Sequence, residues 1–508
     1  MTAPATGTEP ALRLASSSGR WVLFATILGS TMASIDATVV GIALPAIGQE
    51  FKASLAGLQW VVTAYTLTLA GLLLVAGALG DRYGRKRVFQ IGVVWFAIAS
   101  ALCGLAPNTP VLIGARALQG VGAALLTPGS LAIIEASFHP DDRGKAIGAW
   151  SGFAGVGTAI GPFIGGWLIQ AVSWRLIFAI NLPIAALVVV VTWRHVPESR
   201  DMAETGRVDV SGGALVTLGL IGLTYGLIDG PAAGWNRPVP LASVIAGVVL
   251  LVAFVLRERR ARNPVMPLPL FSSTQFSAAN VVTFIVYAAL GGALFLLPIQ
   301  LEQVSGYTAL EAGISLLPVT VIMLLLSARS GALAAKIGPR LQMTLGPLVI
   351  AAGLALFARI GHSGDYLTEV LPAVLVFGFG LAINVAPLTS TVLAAAPAEN
   401  AGAASAINND VARAGSLIAV AVLPAAAGLT GAAYLHRDLF SAGFKMASFI
   451  AAGLCVLGGA LAAVTIRNPG TAAKAAAPGP ERPVLHCGLD CPGPRPAGQA
   501  RATARSGA

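Results

Sequence analysis

The chain has 508 residues, 56% of them hydrophobic and 11% charged, with a formal net charge of +10. A soluble globular chain holds about 25% charged residues, so water is excluded as the solvent for most of this one. The mean hydropathy of +0.79 comes from long apolar runs, such as Val88 to Leu105 and Leu241 to Leu256, with charges gathered in the short loops between them.

In chain order, residues 1–20 form a small, polar N-terminal tail carrying Arg13 and Arg20. The apolar stretch that follows, Trp21 to Leu44, is too long for a signal-peptide core and lacks a cleavage site, so it reads as a first membrane helix. Runs of roughly 20 apolar residues cross a bilayer as helices, because backbone amides in lipid must be satisfied within their own segment. Fourteen candidate spans emerge: about 21–44, 58–79, 88–106, 111–134, 145–169, 175–193, 209–228, 239–256, 276–300, 311–330, 341–360, 369–395, 401–427 and 441–466. The expected fold is an all-α membrane protein with two pseudo-symmetric six-helix bundles, 21–193 and 276–466, and two inserted helices within 194–275. Residues 467–508 are rich in Pro, Ala, Gly and Arg without an apolar period and read as a disordered tail. His486, Cys487 and Cys491 in that tail make a poor metal site, and Cys103 and Cys455 fall in apolar helices, so no metal is expected.

The placement of the basic residues explains the +10. With the N-terminus on the cytoplasmic side, 24 Lys and Arg fall inside and 6 outside, a positive-inside bias that puts both termini in the cytoplasm. The basic loops thus meet anionic headgroups, and no nucleic-acid partner is expected.

The halves also repeat. Gly77-Ala-Leu-Gly-Asp-Arg-Tyr-Gly-Arg-Lys86 matches Gly331-Ala-Leu-Ala-Ala-Lys-Ile-Gly-Pro-Arg340 in its Gly-Ala-Leu start, its second glycine and its basic residues. Parallel repeats place a substrate site at the bilayer midplane between two halves that rock against each other.

Four features carry candidate chemistry. Asp36 lies mid-span in the first helix, where an ionised carboxylate must face a cavity, pair, or take up a proton. Arg116 is its always-ionised counterpart in the fourth span. Asp410 and Arg413 stand three apart in the thirteenth span and are expected to pair along the helix, and Glu135 ends the fourth. Gly157, Gly161 and Gly165 recur every four residues, with Pro162 and Gly166, as a smooth stripe permitting close helix approach. Tyr65, Tyr287, Phe295, Gln300 and Asn384 are candidate cavity-lining residues, as is Phe276.

The loop Gly80-Asp81-Arg82-Tyr83-Gly84-Arg85-Lys86 resembles the signature loop of the major facilitator superfamily. Arg116-Ala-Leu-Gln-Gly-Val-Gly122 resembles the helix-4 motif of that family, and Gly157 to Gly166 the helix-5 motif of its antiporters. Ser34 to Pro45, Trp60 to Tyr65 and Trp174 to Pro183 resemble the fourteen-helix drug:proton antiporter branch, so the likeness runs over about residues 20–466. It implies a proton-coupled antiporter exporting small, partly hydrophobic compounds from a bacterial cell, with Asp36 and Arg116 in proton coupling and residues 80–86 as the cytoplasmic gate. By the same resemblance Asp81 should meet the start of the thirteenth helix, near Ala401 and Gly402, in the outward-facing state. The second loop copy departs from the pattern, with Ala335 and Pro339 in place of the aspartate and an arginine. Small molecules, protons and lipids are the expected partners of a monomer driven by the proton gradient without a cofactor. Export of one endogenous metabolite or lipid is the alternative, and with no phosphate loop or histidine cluster an enzyme is not expected.

Overall fold

A computed structural model describes residues 12–200, 209–261, 264, 266–397, 400–430 and 436–468. The candidate tail residues His486, Cys487 and Cys491, together with Arg207 and Arg262, lie outside the described residues. The described chain is helical, with no strand among the described residues. Its helices are α1 Ser17–Phe51, α2 Leu55–Tyr83, α3 Arg85–Gly104, α4 Thr109–Ser137, α5 Pro140–Ala171 and α6 Leu176–His195. Next come α7 Val210–Ala233 and α8 Pro238–Glu258, then α9 Thr274–Val304, α10 Ala309–Ile337, α11 Arg340–Phe357, α12 Tyr366–Ala394, α13 Ala401–Ala426 and α14 Arg437–Thr465. Thirteen are long and apolar enough to cross a membrane. In α5 the charges Asp141, Asp142, Arg143 and Lys145 are confined to the first turns, and Ile160–Ala171 is apolar.

Local chemistry sets the helix ends. Ser16, Ser54, Asn108, Asp209 and Ser273 each accept a backbone N–H three residues ahead, and Thr308 and Glu311 form a reciprocal capping box. Gly84 and Gly338, the second glycines of the two loop copies, close α2 and α10 at φ 112° and 87°, in the left-handed region open to glycine. The sequence repeat is therefore also a repeat of backbone geometry.

Packing repeats as well. In the first half α1 packs on α5 and α6, α4 on α2 and α3, and α3 on α6. In the second half α9 packs on α13 and α14, α12 on α10 and α11, and α11 on α14. Between the halves, α5 meets α10 and α2 meets α13. The pair α7–α8 lies against this seam, with α7 touching both α2 and α13. The approach of α7 to α2 is close: a Cβ on Gly71 would fall 2.4 Å from Thr217 Oγ1, and the Trp60 indole N–H donates to Asp229 at 3.1 Å. Outward faces stay apolar and exposed, as at Ile98 (59%), Val249 (59%) and Leu324 (64%), the surface that lipid rather than water accommodates.

The named contacts between the halves lie away from the basic loops and at mid-span, where Leu67 of α2 packs with Leu417 of α13. Away from the basic loops, Gly166 of α5 abuts Ala309 and Leu310, Gly313 of α10 abuts Pro162, and Gln59 of α2 binds α13. Toward the basic loops, a Cβ added at Gly80, Gly144, Gly148 or Gly402 would meet no atom within 4 Å.

Candidate functional site

Asp36 and Arg116 meet. Arg116 Nη1 lies 2.5 Å from Asp36 Oδ2, and both residues are almost wholly enclosed, at 1% and 2% exposure. The other carboxylate oxygen, Oδ1, accepts from Gln119 Nε2 at 2.7 Å and Asn181 Nδ2 at 3.2 Å. Arg116 also donates from Nη1 to Gln119 Oε1 at 2.6 Å and from Nε to the Val61 carbonyl at 3.2 Å. Ser100 joins the cluster from α3, accepting from Gln119 and Asn181 at 3.2 and 2.9 Å and donating to the Phe178 carbonyl at 2.9 Å.

Each partner is placed by a local feature. Arg116 and Gln119 are three apart on α4 and share a face. Asn181 begins the second piece of α6, after the break at Ile180, which aims its amide at Asp36. At Gly120 a Cβ would lie 2.4 Å from the Tyr65 carbonyl, so α2 and α4 run close and the Tyr65 ring sits 4.3 Å from the Arg116 guanidinium carbon. The ring face adds a cation–π contact where water is absent. The glycine stripe of α5 receives α1 itself: Cβ atoms on Gly157, Gly161 and Gly165 would lie 2.3, 2.3 and 2.7 Å from Thr31, Thr38 and Val39. Close packing of α1 on α5 fixes the helix that carries Asp36.

The 80–86 loop is held otherwise. Asp81 Oδ1 accepts from Arg85 Nε at 2.7 Å, one helical turn away. Arg82 lies over the Tyr83 ring at 5.5 Å, and Lys86 donates from its backbone N to Glu198 at 3.1 Å and from Nζ to the Trp193 carbonyl at 3.0 Å. Asp81 is thus engaged within its own loop, and the N-cap of α13, Asn400, makes no side-chain cap hydrogen bond.

Several expectations are corrected. Asp410 and Arg413 do not pair within 4.0 Å, and Asp410 Oδ1 and Arg413 Nε are buried without a hydrogen-bond partner. Helical spacing brings two Cα–Cβ bonds to one face but leaves the rotamers free. Of the candidate lining residues, Tyr65 (2%), Phe295 (5%), Gln300 (0%) and Asn384 (0%) are enclosed, and Tyr287 is half-buried. Gln300 serves the backbone, donating to the Ile360 carbonyl at 3.0 Å. Glu135 is exposed at the end of α4, about 28 Å along the helix from Arg116 at 1.5 Å per residue.

The residues that sequence reasoning missed are neutral. Ser100, Gln119 and Asn181 complete the Asp36 site; Gln119 and Asn181 lie within the quoted stretches 116–122 and 174–183, whereas the only sequence signal of Ser100 is a polar side chain inside an apolar run. Gln59 is another: Pro424 lacks the N–H that would bond the Val420 carbonyl in α13, and Gln59 Nε2 supplies the donor at 2.6 Å, reaching the Ala421 carbonyl at 3.3 Å. At the same end Trp174 and Arg175 both hold Glu50, each at 2.5 Å.

Comparison with known proteins agrees with this architecture. The family model described as Major Facilitator Superfamily matches residues 26–420. The chain is 37% identical over 402 residues to the tetracenomycin C resistance and export protein of Streptomyces glaucescens, covering 79% of this chain and 74% of that one. It is 36% identical to the methylenomycin A resistance protein of Bacillus subtilis over 80% of this chain and 87% of the relative. With the puromycin resistance protein of Streptomyces alboniger the identity is 34%, over 88% and 91%. Among solved structures, a D-xylose–proton symporter superposes with a TM-score of 0.64 at 16% identity, covering 89% of this chain and 99% of that one, a likeness of fold. The chain belongs to the major facilitator superfamily, as a multi-pass membrane transporter of small molecules and not an enzyme.

Proposed function

We propose that the protein is a proton-coupled secondary antiporter that exports drugs or other small hydrophobic compounds across the bacterial inner membrane by alternating access. The buried Asp36–Arg116 pair carries this reading. Taking two charges out of water costs several kcal/mol per ion unless geometry and further hydrogen bonds compensate. Protonating Asp36 removes its charge and with it most of the attraction of α1 for α4, while Arg116 keeps the Val61 carbonyl, Gln119 and the Tyr65 ring. A proton arriving at Asp36 is thereby turned into a change in how α1 is held, and α1 packs on α5, which meets the second half.

The direction of transport is supported by the relatives, which are named for resistance and export. We take α5 as the fourteenth crossing and α7–α8 as an insert between bundles at 21–193 and 276–466. Both termini then face the cytoplasm, in keeping with 24 basic residues on that side against 6 on the other. The basic end is the cytoplasmic end, and the conformation is inward-facing. The carrier works as a monomer among lipids, without a cofactor, on the proton gradient. The relatives named for single antibiotics favour a second reading, a dedicated exporter of one endogenous metabolite or lipid.

The test is proton release from reconstituted vesicles on adding lipophilic cations or neutral antibiotics, with wild type and Asp36→Asn side by side. Release by wild type and none by a well-inserted Asp36→Asn is the expected result. Full pH-driven transport in the variant would sink the assignment, and a response to one compound alone would select the second reading.

A further inference from the structure

The first half satisfies its buried charge, and the second does not. Arg116 is engaged by a carboxylate, an amide, a carbonyl and a ring face. Arg413 is the thirteenth of the 26 residues of α13, at the middle of the span, yet its Nε is buried without a hydrogen-bond partner. Asp410 Oδ1, three residues earlier, is in the same condition. A buried guanidinium N–H left without an acceptor at membrane depth is expensive and marks a site of use.

The surroundings of α13 say what it faces. Its inner face is buried on α9: Asn408 donates to Asn280 at 3.1 Å and to Thr283 at 2.8 Å, and a Cβ on Gly415 would lie 2.5 Å from the Phe284 carbonyl. Its other face, running through Gly402, Ser405, Asn409 and Arg413 at helical spacing, is exposed or half-exposed. Because Leu417, one turn beyond Arg413, packs with Leu67 of α2 and Leu220 of α7, and Gln59 of α2 binds Val420, that polar face is turned toward the first half.

We propose that Arg413 is the recognition point for an acidic group on the exported compound, a carboxylate or an ionised phenol or enol, with the Asn409 amide one turn below as its neutral partner. The assignment deepens the export reading above and rests on it. The planar guanidinium matches a carboxylate with two parallel N–H donors, and such charge-assisted bonds are strengthened where water is partly excluded.

The test compares anthraquinone-2-carboxylate with its methyl ester, which keeps the apolar body and removes the charge. Equilibrium dialysis is run against purified protein in nanodiscs, with empty nanodiscs correcting for partition. Wild type is expected to hold the acid about 10- to 100-fold more tightly than the ester, the range for a hydrogen bond to a charged group. Arg413→Gln abolishes that preference, and Arg413→Lys, with charge but no fork, keeps part of it. Wild type that binds both alike or neither, or a folded Arg413→Gln that still prefers the acid, overturns the proposal. The wild-type comparison stands even if a variant fails to fold. Asp36→Asn is expected to keep the acid preference while losing pH-driven export, so a failed anion site and a failed coupling site give different results.

Discussion

The two halves share one scaffold and differ in what they bury at its centre. Pro45 and Pro298 interrupt α1 and α9, and the residue nine before each is Asp36 in the first half and Ala289 in the second. Twelve before Pro128 in α4 stands Arg116, and twelve before Pro387 in α12 stands Leu375. The first half therefore holds an ion pair where its twin is apolar. The second half buries a neutral cluster, Asn280, Thr283 and Asn408, and leaves Asp410 Oδ1 and Arg413 Nε buried without hydrogen-bond partners.

The largest break in that comparison comes from splitting the ion pair. Arg116→Gln leaves Asp36 buried with no counter-charge and is expected to cost about 3–5 kcal/mol of stability. Combining it with Asp36→Asn removes both charges and is expected to recover most of that loss in thermal unfolding while transport stays absent. A double variant as unstable as the single one would show that the pair does not act as a unit. Next in size is the seam that fixes α1. A Cβ on Gly161 would sit 2.3 Å from Thr38 Oγ1, so Gly161→Ala is expected to cost about 1–3 kcal/mol, read as a lowered melting temperature. Neutrality there would mean that α1 can move off α5 freely.

Gln59 sharpens the comparison at the contact between the halves. Gln59→Leu strands the Val420 carbonyl beside Pro424 and weakens the closed end by about 1–2 kcal/mol, shifting the equilibrium toward outward-open by roughly 5- to 30-fold. Spin-label distances between the two bundles at the basic end should shorten, and unchanged distances would remove Gln59 from the gate. The smallest effect belongs to Asp81→Ala. Its bond to Arg85 is partly exposed, at 31% and 19%, and contributes less than about 1 kcal/mol here. Turnover is expected to fall several-fold with substrate affinity unchanged, because Asp81 acts when the basic end closes, and lost affinity at normal turnover would contradict this.

Asp36 and Arg116 were legible because a charge in an apolar run is rare and expensive. Gln119, three residues from Arg116, shared its helix face, but Ser100 and Asn181 were not legible as partners, since neutral polar side chains occur in many of the spans and nothing in their spacing says which will converge. The same blindness misplaced Gln300, Phe295 and Asn384, which residue type alone marked for the cavity and packing encloses. Asp410 and Arg413 were legible as neighbours but not as unpaired, because spacing fixes the helix face and leaves the rotamer to the surroundings.

By itself the sequence determined the medium, the helices and the repeat, since apolar run length, turn glycines and loop charge are local properties with large energies in lipid. Only the tertiary structure decided that Asp36 takes Arg116, that α7 lies across the seam, and which end of the bundle is closed. Those outcomes depend on small energy differences between alternative packings of the same helices, which no single segment encodes.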